Sequence, residues 1–286
     1  MLMKAHTAWI FGVALAPVWA AVSILSSLAQ ENTSPLKVSV KVVPSAKMAG
    51  VEKEALEKPN PWVVKKLSPV PKIDGDLSDW TGAGFYRISS GEHLVGQVAM
   101  AHDGKNLYLA WEVVDSSPLM NRGQDPMCHF KEGDCVDLML GPYRAQAGGP
   151  VKGDLRLLFV PLPEGPAVFL YRQVWPGAEK DFNYRFESPV RYVDFDFAAQ
   201  IQEVEVVFKK TDGGYLCEAR VPFQALAIQP GPGAKMRGDM GILSSNDGGM
   251  MTERRCYLFN QKAHVTADLP TEAELLPAEW GVLEFK

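Results

Sequence analysis

The chain has 286 residues, of which 47% are hydrophobic and 22% charged, and this balance is typical of a globular protein with a sizeable core. With 29 basic and 34 acidic residues, its formal net charge is −5. This charge argues against nucleic acid as a partner, because such binding depends on basic patches.

The N-terminal residues 1–29 have the layout of an export signal. A single charge, Lys4, precedes an apolar run from Trp9 to Leu28, and Ser27-Leu28-Ala29 provides a small-residue cleavage site. The run is about the ~20 residues needed to span a bilayer, so an uncleaved membrane anchor is the alternative. In either case we expect the rest of the chain to be exported to the periplasm or the extracellular space.

Residues 30–66 are predicted to be a flexible tether. They are rich in Lys, Glu, Pro, Ser and Ala and show no sustained period of 2 or 3.6. Within them, Pro61-Trp62-Val63-Val64 is a candidate for a first edge strand. The folded domain is expected to cover residues 67–286.

Short β-type runs separated by turn residues follow from there, which predicts an all-β, antiparallel β-sandwich of jelly-roll or immunoglobulin-like type. The predicted strands are Val95–Ala101, Leu107–Val114, Cys135–Leu140, Leu155–Val160, Ala167–Val174, Gln200–Phe208, Tyr215–Val221, Asp239–Ser244, Arg255–Phe259 and Val282–Phe285. Helical signal is confined to one expected turn at Phe223-Gln224-Ala225-Leu226. Trp111, inside an apolar strand, is expected in the core rather than as a binding surface.

The four cysteines are Cys128, Cys135, Cys217 and Cys256. An exported location permits disulfides, and Cys128 and Cys135 flank a short loop that a bridge could close. Cys217 and Cys256 lie in apolar runs and are expected to be buried free thiols. Their spacing does not fit a zinc site.

Five segments in a fixed order carry a family resemblance. They are Pro71-Lys72-Ile73-Asp74-Gly75-Asp76-Leu77-Ser78-Asp79-Trp80, Asp103-Gly104-Lys105-Asn106-Leu107-Tyr108-Leu109-Ala110, Gly133-Asp134-Cys135-Val136-Asp137-Leu138, Gly214-Tyr215-Leu216-Cys217-Glu218-Ala219-Arg220-Val221-Pro222 and Trp280-Gly281-Val282-Leu283. From about residue 67 to the end, the chain resembles family 9 carbohydrate-binding modules, a DOMON-like β-sandwich family. The resemblance implies a module that binds poly- or oligosaccharide.

The resemblance also implies a binding site. Phe130 stands where the family stacks an aromatic ring on a sugar, Asp137 where an acid accepts hydroxyl hydrogen bonds, and Arg156 where an arginine donates. Tyr171 and Trp175 could line the same face. A sugar suits such a set because its ring has an apolar face and a rim of hydroxyls.

Each of these residues also has a structural interpretation. Phe130 could be a buried loop anchor, Asp137 a surface charge and Arg156 an exposed edge-strand residue. Where the family has a second stacking tryptophan, residues 271–279 contain no aromatic side chain. Phe259 with Asn260, or Trp175, could substitute for it.

The Asp74-Gly75-Asp76 motif is predicted to form a tight turn that positions the first strand. The alternative is a structural calcium site, because Asp74, Asp76 and Asp79 offer the hard oxygen ligands that calcium prefers.

Catalysis is not predicted. Acidic pairs such as Asp194 with Asp196 or Asp115 with Asp125 arise by chance among 34 acidic residues, and there is no phosphate loop or nucleophile elbow. We therefore expect an exported, non-catalytic carbohydrate-binding protein that assists polysaccharide degradation.

Two alternatives of other classes stay open. One is a haem-binding domain similar to the haem subunit of ethylbenzene-dehydrogenase-type oxidoreductases, with axial ligands among lysines and Met127, Met139, Met236 and Met240. The other is a sandwich that has lost its ligand and serves as an interaction domain.

Overall fold

A computed structural model describes residues 59–286 of the chain. Its strands are β1 Trp62–Lys66, β2 Tyr86–Ser90, β3 His93–His102, β4 Asn106–Val114, β5 Cys135–Pro142, β6 Leu155–Leu162, β7 Gly165–Arg172, β8 Tyr184–Glu187, β9 Tyr192–Phe195, β10 Phe197–Ile201, β11 Glu205–Thr211, β12 Gly214–Pro222, β13 Lys235–Ser245, β14 Thr252–Tyr257 and β15 Gly281–Phe285. There are also two short α-helices, α1 His129–Glu132 and α2 Leu269–Ala273, and three 3-10 turns, Leu77–Asp79, Lys180–Phe182 and Pro277–Glu279.

Strand β1 joins two sheets that face each other. Its first residues, Trp62 to Val64, pair in parallel with β15, and its last two, Lys65 and Lys66, pair in parallel with β3. Sheet I has the order β1-β3-β4-β12-β11, with β2 beside β3. Sheet II has the order β10-β7-β6-β5-β13-β15-β1, with β14 beside β13. The other pairings in both sheets are antiparallel, which confirms the predicted all-β sandwich.

The strand predictions hold at most positions, but they omit β2, β8 and β9 and combine β10 with β11. The segment from Trp62 to Lys66 lies within the range expected to be a tether, yet it forms a strand. Trp62 to Val64 lie at the edge of sheet II, in agreement with the candidate edge strand, and Lys65 and Lys66 lie at the edge of sheet I. The predicted strand Gln200–Phe208 is two strands, because the chain leaves sheet II at residue 202 and enters sheet I at Glu205. The hairpin of β8 and β9 was not predicted, since each strand has only four residues.

The core between the sheets holds the large side chains predicted for it. Trp111 of β4 is fully buried, and its ring centroid lies 5.2 Å from that of Phe159 on β6. The expectation that Trp111 packs in the core is therefore confirmed. Sheet II is also covered on its outer face, where a second cluster includes Phe130, Phe186 and Trp280. Such two-sided burial explains the nearly continuous apolar sequence of β5 and β6.

Outside sheet I, one buried carboxylate fastens the Asp74-Gly75-Asp76 turn to the sandwich. Glu218 of β12 accepts hydrogen bonds from Gly75 N (2.5 Å) and Asp74 N (3.3 Å) on one oxygen and from Trp80 Nε1 (2.6 Å) on the other. Gly75 has φ +78°, a conformation that favours glycine. Burial raises the pKa of Glu218 to about 7 despite these hydrogen bonds. Two of the five family segments thus meet at this residue.

Several sequence predictions fall on residues 1–58, which lie outside the described part. These are the export signal and most of the tether. Within residues 59–286, no helix is long and apolar enough to cross a membrane. Cys128, Cys135, Cys217 and Cys256 are all free thiols, so the Cys128–Cys135 bridge does not form. The sulfur of Cys128 donates to Asp125 Oδ2, and that of Cys135 donates to the His129 carbonyl.

Replacing Glu218 should detach the turn that it holds. Glu218→Ala leaves the buried donors of Trp80 and Gly75 without an acceptor, and we expect a loss of about 2–5 kcal/mol in the free energy of unfolding. Glu218→Gln keeps one acceptor oxygen and should lose about half as much. Urea denaturation measures both. Glu205→Ala, which removes a half-exposed partner of Arg220, is the matched control and should change stability by less than about 1 kcal/mol. Equal losses in the Glu218 and Glu205 variants would contradict this role.

Candidate functional site

Four of the five predicted site residues meet on the outer face of sheet II. Phe130 comes from α1, Asp137 from β5, Arg156 from β6 and Tyr171 from β7. The guanidinium carbon of Arg156 lies 4.5 Å from the Phe130 ring centroid, and the Phe130 and Tyr171 centroids are 6.2 Å apart. Trp175 packs instead on Arg172, at 4.2 Å from its guanidinium carbon. The sequence therefore located a real cluster of four residues.

This cluster is closed in the structure. Phe130, Asp137, Arg156 and Tyr171 are each at most 1% exposed. Phe186 of the β8–β9 hairpin covers Phe130, with ring centroids 5.6 Å apart. A sugar ring can stack on Phe130 only if the covering segments move, so direct contact between these four residues and a ligand stays a prediction.

An ion pair lies at the centre of the cluster. Arg156 Nε and Nη2 lie 2.9 and 2.8 Å from Asp137 Oδ2. Tyr257 of β14 donates its hydroxyl to the same oxygen at 2.8 Å. Burial raises the pKa of Tyr257, so the phenol keeps the proton that it donates. A Cβ at Gly241 would overlap Asp137 Oδ1 and the Tyr257 ring, so glycine is required for this close packing.

Glu272 of α2 closes the cluster from above. Its carboxylate lies 2.6 Å from Lys131 Nζ and 3.4 Å from Arg255 Nη1, and it accepts the Thr266 N–H at 2.6 Å. Its main-chain carbonyl accepts from Arg156 Nη1 (3.3 Å) and Arg255 Nη2 (3.0 Å). The covering helix is thus fixed by charged groups as well as by apolar packing.

Beside the ion pair, between sheet II and the segment that carries α2, lies a cavity of about 100 Å³. We call it the β14 cavity. Tyr257 and Trp280, which are 3% and 4% exposed, contribute a small aromatic surface to its lining, and the polar groups come from Arg255, Asn260, Lys262 and Thr271. The Tyr257 hydroxyl, which donates to Asp137 Oδ2, links the cavity wall to the ion pair. The arrangement can hold a small polar ligand with one apolar side.

Asp239 of β13 lines the same cavity and is fully buried. It accepts backbone hydrogen bonds from Met240 (2.9 Å), Phe259 (2.9 Å) and Asn260 (2.7 Å). Burial outweighs these bonds and raises its pKa to about 8. At neutral pH this carboxyl is therefore mostly protonated, and the cavity wall carries little negative charge there.

Sequence reasoning missed Arg255, Tyr257 and Glu272 as members of this site. A usable signal was present in β14, where Arg255 and Tyr257 are two residues apart and share one face of a strand. For Glu272 there was none, since residues 271–279 show no period that would fix which side chain turns inward.

The residues proposed for a cofactor or metal are distributed as follows. Met236 and Met240 belong to the core between the sheets, whereas Met139 lines the β14 cavity and Met127 packs against the outer cluster. Asp74 and Asp76 cap the backbone of their own turn. Within residues 59–286, no group of three or more His, Cys, Asp or Glu side chains could hold a metal ion. Haem and calcium remain hypotheses.

Breaking the buried ion pair should be costly. Arg156→Met leaves Asp137 buried without its cation, and we expect a loss of about 3–5 kcal/mol in the free energy of unfolding. Arg185→Met is the matched control, because Arg185 pairs with Asp194 in an exposed hairpin. It should lose less than about 1 kcal/mol. Chemical denaturation compares the two variants. Similar losses in the free energy of unfolding would show that the buried ion pair stabilises the fold no more than the exposed one does.

Asp239 predicts a pH dependence of stability. Its carboxyl ionises near pH 4 in the unfolded chain but near pH 8 when folded. The stability that the protonated carboxyl gives to the folded state is therefore fully present below pH 4, and the free energy of unfolding falls as the pH rises from 4 to 8. Asp239→Asn cannot ionise. Relative to the unaltered protein, this variant should gain a few kcal/mol between pH 4 and pH 8, measured by urea denaturation at pH 4, 6 and 8. A constant difference across this range would contradict the raised pKa.

Comparison with known proteins gives structural similarities only. No protein-family model and no curated protein matches the chain. Among solved structures, a carbohydrate-binding module of family 9 from Caldicellulosiruptor kristjanssonii in complex with glucose has a TM-score of 0.48 and 16% identity, covering 78% of this chain and 94% of that one. The module in complex with cellotriose also has a TM-score of 0.48 and 16% identity, over 78% and 92%. A protein from Bacteroides uniformis ATCC 8492, assigned to carbohydrate binding, has a TM-score of 0.42 and 13% identity, over 81% and 99%. Modules of family 9, which the sequence resembles, are thus among the structures similar to this fold.

Proposed function

We propose that this protein is an exported, non-catalytic saccharide-binding protein that holds the end of an oligo- or polysaccharide in the β14 cavity. The observation that carries the proposal is the lining of that cavity. Two aromatic side chains, Tyr257 and Trp280, line the same cavity as the hydrogen-bonding side chains of Asn260, Thr271 and Lys262.

A sugar matches this lining in both parts. The C–H groups of a pyranose suit aromatic surface, and its hydroxyls suit amide, hydroxyl and ammonium groups. The volume of about 100 Å³ is below the roughly 300–1,000 Å³ of pockets for drug-sized ligands. In the proposal only the end of a sugar chain enters the cavity, and the rest of the sugar chain stays outside it.

In this proposal four of the residues predicted from the sequence support the cavity wall and do not contact the sugar. Asp137 and Arg156 position the cavity wall, because Asp137 Oδ2 accepts the Tyr257 hydroxyl. Phe130 and Tyr171 support the ion pair from below by aromatic packing. Sugar contact by these four residues would require α2 to move away. Trp175, which packs on Arg172, could contribute only a separate contact.

The sequence of residues 1–29 supports a role outside the cytoplasm. Residues 1–29 have the layout of an export signal or membrane anchor, and exported proteins meet extracellular polysaccharide. The proposed role is to keep a polysaccharide close to enzymes that degrade it.

A glycan array probed with the full chain tests the proposal, and we expect retention on a limited set of oligosaccharides. Asn260→Ala should weaken that binding by roughly three- to tenfold, because it removes one side-chain amide from the cavity. The backbone N–H of Asn260, which caps Asp239, is kept. Gln229→Ala is the matched control and should leave binding unchanged, because Gln229 is exposed and donates to Gly104 O in the turn between β3 and β4.

Other outcomes would favour the other classes. A Soret band in the purified protein would replace saccharide binding with haem binding. Unchanged migration in affinity gels across the glycan panel, without a chromophore, would favour an interaction domain. Equal weakening by Asn260→Ala and Gln229→Ala would show that the β14 cavity is not the site.

A further inference from the structure

The charged groups around the β14 cavity are not paired one to one. Three cationic side chains, Lys131, Arg156 and Arg255, face two carboxylates, Asp137 and Glu272. A third carboxyl, that of Asp239, has a pKa raised to about 8 by burial and is mostly neutral at pH 7. Lys131, whose side chain is 24% exposed, and the buried Arg255 therefore share the single carboxylate of Glu272.

Arg255 is the cation with the weakest partners. It is 8% exposed and lines the cavity, yet its nearest carboxylate oxygen, on Glu272, is 3.4 Å away. That carboxylate is shared with Lys131, which is closer at 2.6 Å. Arg255 Nε is buried and has no hydrogen-bond partner. Glu272 Oε2 is also buried without a hydrogen-bond partner, so the contact between these two groups is poorly satisfied. An anionic ligand oxygen in the cavity that Arg255 lines would give the guanidinium a second charged partner.

The other charged residues that line the cavity also bear on its preference for an anionic ligand. Lys262 and His264 both line it, and the exposed ammonium of Lys262 is paired with Glu279 at 2.7 Å. The one further carboxylate in the lining, Glu274, is already paired with Arg191 at 2.6 Å. Among the cations of the lining, Arg255 therefore has the longest contact with a carboxylate.

We infer that the saccharide held in the β14 cavity is acidic, with the carboxylate of a terminal uronic acid residue placed against Arg255. The inference rests on the proposed saccharide-binding function and narrows it to one ligand class. A neutral sugar fills the same space but leaves Arg255 with only the carboxylate that it shares with Lys131. A charge-assisted hydrogen bond is roughly twice as strong as a neutral one, so the carboxylate should decide the selectivity.

Calorimetric titration of the full chain with trigalacturonate and with its methyl ester tests this directly, because the ester removes the charge and keeps the sugar. We expect the acid to bind at least tenfold more tightly than the ester. Acetate, at the same concentration, should bind far more weakly than trigalacturonate, since it lacks the ring that Tyr257 and Trp280 contact.

A protein-side test uses Arg255→Gln, with Arg220→Gln as the matched control. Arg220 pairs with Glu205 at the surface of sheet I, on strands β12 and β11. Arg255→Gln should abolish the preference for the acid over the ester, and Arg220→Gln should retain it. Circular dichroism establishes that each variant is folded. If Arg255→Gln fails to fold, the acid-to-ester ratio of the unaltered protein still decides the question.

The outcomes separate the two proposals. Equal affinity for acid and ester would overturn the acidic preference while leaving saccharide binding in place. Binding of neutral glycans alone would have the same effect. Acetate binding as tight as that of trigalacturonate would show recognition of a carboxylate without a sugar and would overturn the inference. No binding of any saccharide would remove the proposed function and the inference together.

Discussion

The ion pair between Asp137 and Arg156 is the interaction on which the outer face of sheet II depends. Both side chains come from strands whose other face packs in the core, so neither can turn away to reach water. Charges in such a position are tolerated only when they are paired and hydrogen-bonded. Tyr257 supplies the further hydrogen bond, and Gly241 leaves the space for it. The aromatic cluster then packs around a group that is already neutral as a pair.

Covering this pair requires charged groups in the cover. Apolar segments alone would leave the outer hydrogen-bonding positions of Arg156 without acceptors, and unpaired donors are unfavourable when buried. The carbonyl of Glu272 accepts from Arg156, and its carboxylate engages Lys131 and Arg255. The helix α2 therefore stabilises the site through a residue that also adds negative charge to it.

The sequence was sufficient for the sandwich because most strands carry their own signal. Period-2 patterns and glycine or proline turns are local, and they located strands such as β12 within a residue or two. They failed where a local pattern spans a change of sheet, as between Gln200 and Phe208. They marked Trp62 to Val64 as a candidate edge strand but could not identify its partner, because β15 lies far along the chain.

For the site, the sequence predicted proximity but not accessibility. The positions of Phe130, Asp137 and Arg156 on neighbouring elements follow from strand order and register, which a family resemblance can supply. Their burial is decided by residues that come later in the chain, chiefly Phe186 and Glu272, and no pattern marks these as covering groups.

The same cover creates the β14 cavity, and this determines what the cavity can select. Because α2 is held by Glu272, the segments on either side of it stand off from β13 and β14 and leave a space. The wall of that space is made from side chains that the ion-pair network has already oriented, Tyr257 through Asp137 and Arg255 through Glu272. A fixed guanidinium loses little conformational freedom when a ligand binds, so its charge can be used for selection. Closure of the predicted site and selectivity of the cavity beside it are therefore two consequences of one arrangement of charges.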